Sequence, residues 1–296
     1  MDWKPGGTSG DIEDRRDDSG GASFGGGGFG GGFGGMHIGI GGAIIVGLLS
    51  LVFHQNLFQM LPGNGGESAP SAAPVVRNQP DTAQDTREKP ELQFVSFVID
   101  DVQRNWDMAL PGQENIPYHH AKLVLYSNSY PSACGDASMA TGPFYCPGDE
   151  KVYLDLGFFN ELKRRFGAPG EFAQAYVIAH EIGHHVQKLM GIESKVRRLQ
   201  QQEPGQVNAL SVRLELQADC FAGIWANSTE QRNIINQSDV QSAMQAAAAV
   251  GDDRLQRMGQ GYVNPESFTH GTSAQRDRWF KRGFDSGQIS SCDTFR

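Results

Sequence analysis

Residues 177–186 read Val-Ile-Ala-His-Glu-Ile-Gly-His-His-Val. Residues i and i+4 of a helix share one face, so His180 and His184 can present both imidazoles to a single Zn²⁺. Glu181 lies one step round the same helix, where its carboxylate reaches a zinc-activated water without ligating the metal. Zinc lowers the pKa of that water, and Glu181 takes the proton as the water attacks a carbonyl. His185 points to another face and is expected to pack or to make a hydrogen bond rather than to ligate. Catalytic zinc sites use three protein ligands, so a third is needed. A histidine six residues past His184 with a glycine midway is absent, because those positions hold Met190 and Gln187. A carboxylate from a later helix is the other source. In Leu214-Glu215-Leu216-Gln217-Ala218-Asp219-Cys220-Phe221-Ala222, Glu215 and Asp219 share a face of a largely apolar helix, where two carboxylates need partners. Glu215 is the expected ligand. Asp219 is expected to accept a hydrogen bond from the far nitrogen of a ligand imidazole, His180, fixing its tautomer.

The elements that must position these residues follow from periodicity. Helical spacing of Leu92, Val95, Val98, Ile99, Val102 and Trp106 predicts an opening amphipathic helix. Residues 121–126 read as a strand, 127–143 as a Gly/Ser/Pro-rich loop, and 151–156 as a strand with period-two alternation. Helices are expected at 157–166, 171–190, 206–226, 238–258 and 273–284. Ser238 with Gln241 and Thr272 with Gln275 resemble capping boxes. Strands first and helices after give an α+β domain, mostly helical with a small sheet.

Around that domain the chain divides by composition. Residues 1–35 mix scattered charges with Gly-rich sequence punctuated by Phe24, Phe29 and Phe33, and read as a disordered tail. From residue 19 to residue 66 there is no Asp, Glu, Lys or Arg. Inside that window residues 36–53 are apolar; at ~1.5 Å per residue, 18 helical residues cover roughly 27 Å, close to a hydrocarbon core of about 30 Å. The expectation is one transmembrane helix at 36–58, followed by a Pro-rich flexible linker at 59–90 and the folded domain at 91–296. A cleaved signal peptide fits less well, because the run starts late and lacks a basic n-region. Lys4, Arg15 and Arg16 before the span place the N-terminus in the cytoplasm. The formal net charge of -9 and the lack of a basic stripe exclude a nucleic-acid partner.

The four cysteines allow three pairings. Loop closure favours Cys134 with Cys146, which leaves Cys220 with Cys292. An even count suits an oxidising compartment, which places the domain outside the inner membrane. Zinc ligation by cysteine lacks a Cys-x-x-Cys spacing to support it.

The H-E-x-x-H helix with E-x-x-x-D downstream resembles the gluzincin metallopeptidases. More closely, the domain is similar to the bacterial neutral zinc metallopeptidase family in Gly142-Pro143-Phe144-Tyr145-Cys146-Pro147, Val152-Tyr153-Leu154-Asp155-Leu156, the HEIGHH helix, LELQADCFAG and Phe268-Thr269-His270-Gly271-Thr272. The resemblance implies a zincin-like fold holding one catalytic Zn²⁺ and hydrolysing peptide bonds of protein or peptide substrates, with endopeptidase action expected. It also implies that strand 151–156, through Val152, Tyr153 and Leu154, pairs with extended substrate. His270 is the implied stabiliser of the tetrahedral oxyanion, with Arg276 and Tyr262 as alternatives. The competing reading is a catalytically silent, metal-stabilised protein-binding module at the cell envelope. An intact Glu181 weighs against it, since a scaffold needs no base.

Overall fold

The computed structural model describes residues 1–18, 82–138, 141–166 and 170–296. Among them no helix is long and apolar enough to cross a membrane. The expected transmembrane helix at 36–58 lies outside the described residues, as do residues 19–35 and 59–81.

The strands are β1 (Ile12–Asp14), β2 (Lys122–Tyr126), β3 (Ser129–Ser132), β4 (Gly135–Ser138), β5 (Phe144–Cys146) and β6 (Lys151–Asp155). Four of them form a mixed sheet in the order β1-β2-β6-β5, with β1, β2 and β6 parallel and β5 antiparallel to β6. Because strand side chains alternate faces, Leu123, Leu125, Val152 and Leu154 join the main core. Val124, Tyr126 and Tyr153 face the other way, where Ala137 of β4, Cys146 and Tyr130 cover them. The β3–β4 hairpin supplying that cover falls in the stretch expected to be a loop. Its Gly, Ser and Pro content hides the pairing from any search for alternation. A Cys134–Cys146 disulfide fastens it to the sheet.

The helices are α1 (Thr82–Glu114), α2 (Gly157–Phe166), α3 (Glu171–Leu189), α4 (Ile192–Gln202), α5 (Val207–Gln231), α6 (Gln237–Ala249), α7 (Asp252–Gln260) and α8 (Ser273–Ser286). Several expectations are corrected. Residues 82–90 belong to α1 rather than to a linker, with Pro90 inside the helix. The helix expected over 238–258 is two helices broken near Gly251, and the first is capped by Asn236 with Asp239 rather than by Ser238 with Gln241. The Thr272–Gln275 box forms as expected.

The expected disordered tail is corrected for its first 18 residues. Its charges, which look solvated in sequence, meet partners far along the chain. Lys151 pairs with Glu13 at 2.9 Å, and the Gln103 side-chain amide donates to Asp11 at 2.8 Å. Trp3 packs its ring 5.4 Å from that of Phe94. The folded unit therefore joins residues 1–18 to 82–296 instead of starting at 91.

Two close approaches set the helix frame. α3 crosses α5 at Gly183, where an added Cβ would lie 3.0 Å from the Ala218 carbonyl oxygen and 3.2 Å from its Cα. α5 and α8 meet at Gly223 and Gly283, where a Cβ on Gly283 would overlap the Cys220 carbonyl. A second disulfide, Cys220–Cys292, ties α5 to the turn after α8. Phe172 stacks on Trp225 with centroids 5.4 Å apart, joining α3 to α5 through the core.

Candidate metal centre

The contact at Gly183 brings the middle of α3 against the middle of α5, so residues one turn apart on each helix face each other. His180 Nε2 lies 3.2 Å from Glu215 Oε2, and His184 Nε2 lies 3.5 Å from Glu215 Oε1. One donor atom from each of His180, His184 and Glu215 falls within 4.8 Å of the others. Among the described residues this is the group of His, Cys, Asp and Glu side chains disposed to hold a metal ion. Two imidazoles and one carboxylate suit Zn²⁺ and leave one coordination position open.

Each ligand imidazole has its other nitrogen engaged. His180 Nδ1 lies 2.9 Å from Asp219 Oδ1, so its N–H donates to the carboxylate and leaves Nε2 for the ion. His184 Nδ1 lies 2.8 Å from Gln187 Oε1, which fixes its tautomer the same way. Gln187 is held in turn, its amide donating to the Leu214 carbonyl at 2.7 Å and to Gln217 Oε1 at 3.1 Å. Such outer contacts orient metal ligands and raise their basicity.

Asp219 is fully buried, and burial alone would raise its pKa. Arg276 and then His180 outweigh burial, and the carboxyl sits below its ordinary value. Arg276 holds Asp219 with two parallel bonds, Nε to Oδ2 and Nη2 to Oδ1, each 2.8 Å. The Tyr176 hydroxyl donates to the same carboxylate. Arg276, an alternative oxyanion partner in sequence, is thus committed to Asp219, and Tyr262 is 64% exposed in the segment after α7. Burial opposes a charged His180, but Asp219 and Glu215 prevail and push its pKa up to about 10. The pocket therefore favours positive charge.

Glu181 is buried beside the ligands and outside their set. Burial pushes its carboxyl up, against His180, His184 and the Tyr145 main-chain N–H, which favour its charged form. His185 on the next face is fully buried and is not a ligand. Its Nε2 lies 2.7 Å from the His119 carbonyl, so that nitrogen carries the proton; Nδ1 then accepts from the Tyr145 hydroxyl at 2.9 Å. Burial lowers its pKa to about 4, which keeps the ring neutral. This pair anchors β5 alongside Glu181.

His270 approaches from the loop before α8. Asp252, the first residue of α7, gathers that loop by accepting from the backbone N–H groups of Thr269, His270 and Gly271 at 2.7, 2.6 and 3.0 Å. His270 Nδ1 lies 3.3 Å from Asp252 Oδ1. Burial lowers its pKa, but Glu215 and Asp252 outweigh it and raise it overall. The ring's Nδ1 also lies 3.0 Å from the Thr269 hydroxyl, so its contacts are with Thr269 and Asp252.

The substrate-strand expectation is corrected. Val152 and Tyr153 of β6 pair with Leu123 and Val124 of β2 on one side and with Tyr145 and Phe144 of β5 on the other. Leu154 pairs with Leu125. The sheet edge next to α3 is β5.

Arg276, Tyr176 and Gln187 escaped sequence reasoning as supports of the site. Gln187 lies three residues past His184 and was readable from helical spacing. Arg276 lies 57 residues from Asp219 and 100 from Tyr176, separations that carry no local signal.

Residues 1–295 match the family described as "Putative neutral zinc metallopeptidase". The chain is 45% identical to "Uncharacterized protein YpfJ" of Escherichia coli (strain K12) over an alignment of 298 residues, covering 100% of this chain and 99% of that protein. It is 44% identical over 201 residues to "Uncharacterized protein Rv2575" of Mycobacterium tuberculosis, covering 64% of this chain and 66% of that protein. No solved structure matches the chain.

Proposed function

Because the chain belongs to the putative neutral zinc metallopeptidase family, we propose that it is a zinc-dependent endopeptidase with Glu181 as general base and acid. The observation carrying this reading is the convergence of three donor side chains, with both imidazole tautomers already fixed and a fourth carboxylate, Glu181, buried beside them but not among them. A structural zinc site closes itself with four protein ligands, whereas three leave room for chemistry.

His180, His184 and Glu215 would hold Zn²⁺, which when bound supplies Lewis acidity toward water and a peptide carbonyl. Glu181 removes the proton of the attacking water and returns it to the leaving amine. Its burial suits this, since a carboxyl with a raised pKa passes protons nearer neutrality. His270, steadied by Asp252, donates through Nε2 to the oxyanion of the tetrahedral intermediate. Extended substrate adds to the edge of β5 that no described strand pairs with, and such pairing is read through the main chain.

The test uses purified full-length protein, with zinc content and casein cleavage measured on the same sample. Chelator should abolish cleavage. Glu181→Gln should keep zinc, because Glu181 is not a ligand, and lose about 10²–10⁴-fold in turnover. Loss of zinc would remove Glu181 from this role. Equal turnover in the two proteins would remove the mechanism.

A further inference from the structure

Beyond Cys146, the last residue of β5, the chain turns at residues 147–150, and a cavity of about 310 Å³ opens between this turn and α4. Pro147 and Gly148 line it from the turn, and Ser194, Arg198 and Gln201 line it from one face of α4. The turn is held in place. Cys146 is bonded to Cys134, and the Ala133 N–H donates to Asp149 Oδ2 at 3.0 Å. Lys188 of α3 lines the same cavity; its Nζ donates to the Pro147 carbonyl and lies 2.8 Å from Glu150 Oε1. Arg197, also at the cavity, has its Nη2 2.6 Å from Glu193 Oε1. Each of these two cations therefore has a carboxylate. Arg198 is exposed at the cavity and has no ion-pair partner among the described residues. In a chain of net charge -9, such a cluster makes a locally positive hollow on an acidic molecule.

The hollow lies along the line of the metal centre. Lys188 follows His184 by four residues, so it shares the ligand face of α3 and stands ~6 Å further along the helix. β5 runs the same way. The Tyr145 N–H meets Glu181, and the Pro147 carbonyl meets Lys188. Two residues of extended chain cover about 7 Å. A peptide lying along β5 with its reacting carbonyl beside Glu181 therefore brings a side chain to the hollow roughly two to three residues away. We propose that this cavity is a specificity subsite for an acidic residue of the substrate, with Arg198 as the partner of the Glu or Asp carboxylate. A guanidinium offers two parallel N–H donors that match a carboxylate, and Lys188 and Arg197 add positive field around it. The proposal rests on the peptidase reading and narrows its substrates to peptides with acid on one side of the cut bond.

The experiment gives full-length, zinc-loaded protein casein-derived peptides in pairs, one with Glu and one with Gln at a single position, with that position stepped along the peptide. Cuts are located by mass spectrometry. The Glu member should be cut with a kcat/KM about 3–10-fold higher at low salt when the acid lies two to three residues from the cut, on one side only. The advantage should shrink as salt is added. Arg198→Glu should reverse the order within a pair. Lys163→Glu makes the same charge change at an exposed position of α2 outside the cavity and should leave the order as it was. Equal rates within every pair overturn the proposal, as does an order that Arg198→Glu leaves unaltered or that Lys163→Glu reverses equally. Fluorescence anisotropy of the same labelled peptides on zinc-loaded Glu181→Gln protein separates this failure from failure of the peptidase reading. Tighter binding of the Glu member, lost on adding Arg198→Glu, keeps the acidic-residue site even where the wild-type protein cuts nothing. Cleavage with no distinction between Glu and Gln removes the subsite and leaves the peptidase.

Discussion

Asp219 sits at the centre of a buried network in which Arg276, Tyr176 and His180 all bond to one carboxylate. Glu215 offers a donor oxygen to the candidate metal position, whereas Asp219 reaches only the far nitrogen of His180. Glu215→Ala should therefore strip most of the zinc affinity, and Asp219→Ala should weaken it by about 10–100-fold, as losses of outer contacts do. Competition with a chromophoric chelator measures both, with circular dichroism to verify that α5 survives. The reverse order would make Asp219 the ligand and shift the register of α5 by one turn. Arg276→Met leaves Asp219 buried without its counter-charge and should cost about 3–5 kcal/mol in denaturant unfolding; a change too small to measure would mean that the ion pair is dispensable. The convergence of His180, His184 and Glu215 was readable in the sequence because i, i+4 spacing is local geometry. The network behind them was not, since Arg276 and Tyr176 meet Asp219 only through the packing of three helices.

Elements place these residues through contacts that tolerate little added volume. Gly183→Ala puts a methyl group 3.0 Å from the Ala218 carbonyl oxygen. α3 must then lean away from α5, and overpacking of this kind costs typically 1–3 kcal/mol, roughly. The same lean separates His180 and His184 from Glu215, so zinc affinity should fall along with stability; unchanged affinity would show that the helices are not held apart by that methyl. The β1 strand has a different hold. His120 lies between Asp107 and Asp11, with contacts of 3.0 and 2.5 Å, and Lys122 also reaches Asp11. Burial lowers the pKa of His120, but Asp107 and Asp11 outweigh it and raise it. Burial raises the pKa of Asp11, but Lys122 and His120 lower it overall. A raised histidine stabilises in full below its ordinary value and loses that contribution as pH rises through the folded value; a lowered aspartate contributes above its ordinary value and loses it as pH falls through the folded one. β1 should thus be held best between about pH 4 and 6.5 and loosen at higher pH. Amide exchange of residues 12–14, corrected for intrinsic rate, reads this directly. Protection that does not change from neutral to alkaline pH would refute it. The long helices were visible in the 3.6-residue repeat of apolar positions. The segment at 82–90 was hidden by Pro90 and its few apolar residues, and α4 shows only Val196 as a buried residue, too little for a periodic signal.

At the scale of the whole molecule, the order of strands and helices identified an α+β unit, but composition mistook its perimeter. Charged residues near the N-terminus read as a solvated tail because two of them find partners more than a hundred positions away: Glu13 at Lys151, Asp11 at Lys122. Family membership over residues 1–295 spans that perimeter as well. The paired β1 has a practical consequence for anyone preparing the enzyme. The habitual way to express a hydrolase with an N-terminal hydrophobic run is to discard everything through that run and begin at its far end. Starting at residue 82 would bare the outer edge of β2, unpairing the Leu123 N–H and the Leu125 carbonyl, and exposed edges recruit neighbouring chains. Size-exclusion chromatography should find that version aggregated. A shortened gene joining residue 18 to residue 82 through a brief Gly/Ser bridge should elute as a discrete species, because Arg16 and Glu88 already touch. Equal behaviour of the two would mean that the strand is ornamental. Otherwise, inactive preparations of the shorter kind say nothing about catalysis: they report a missing piece of sheet.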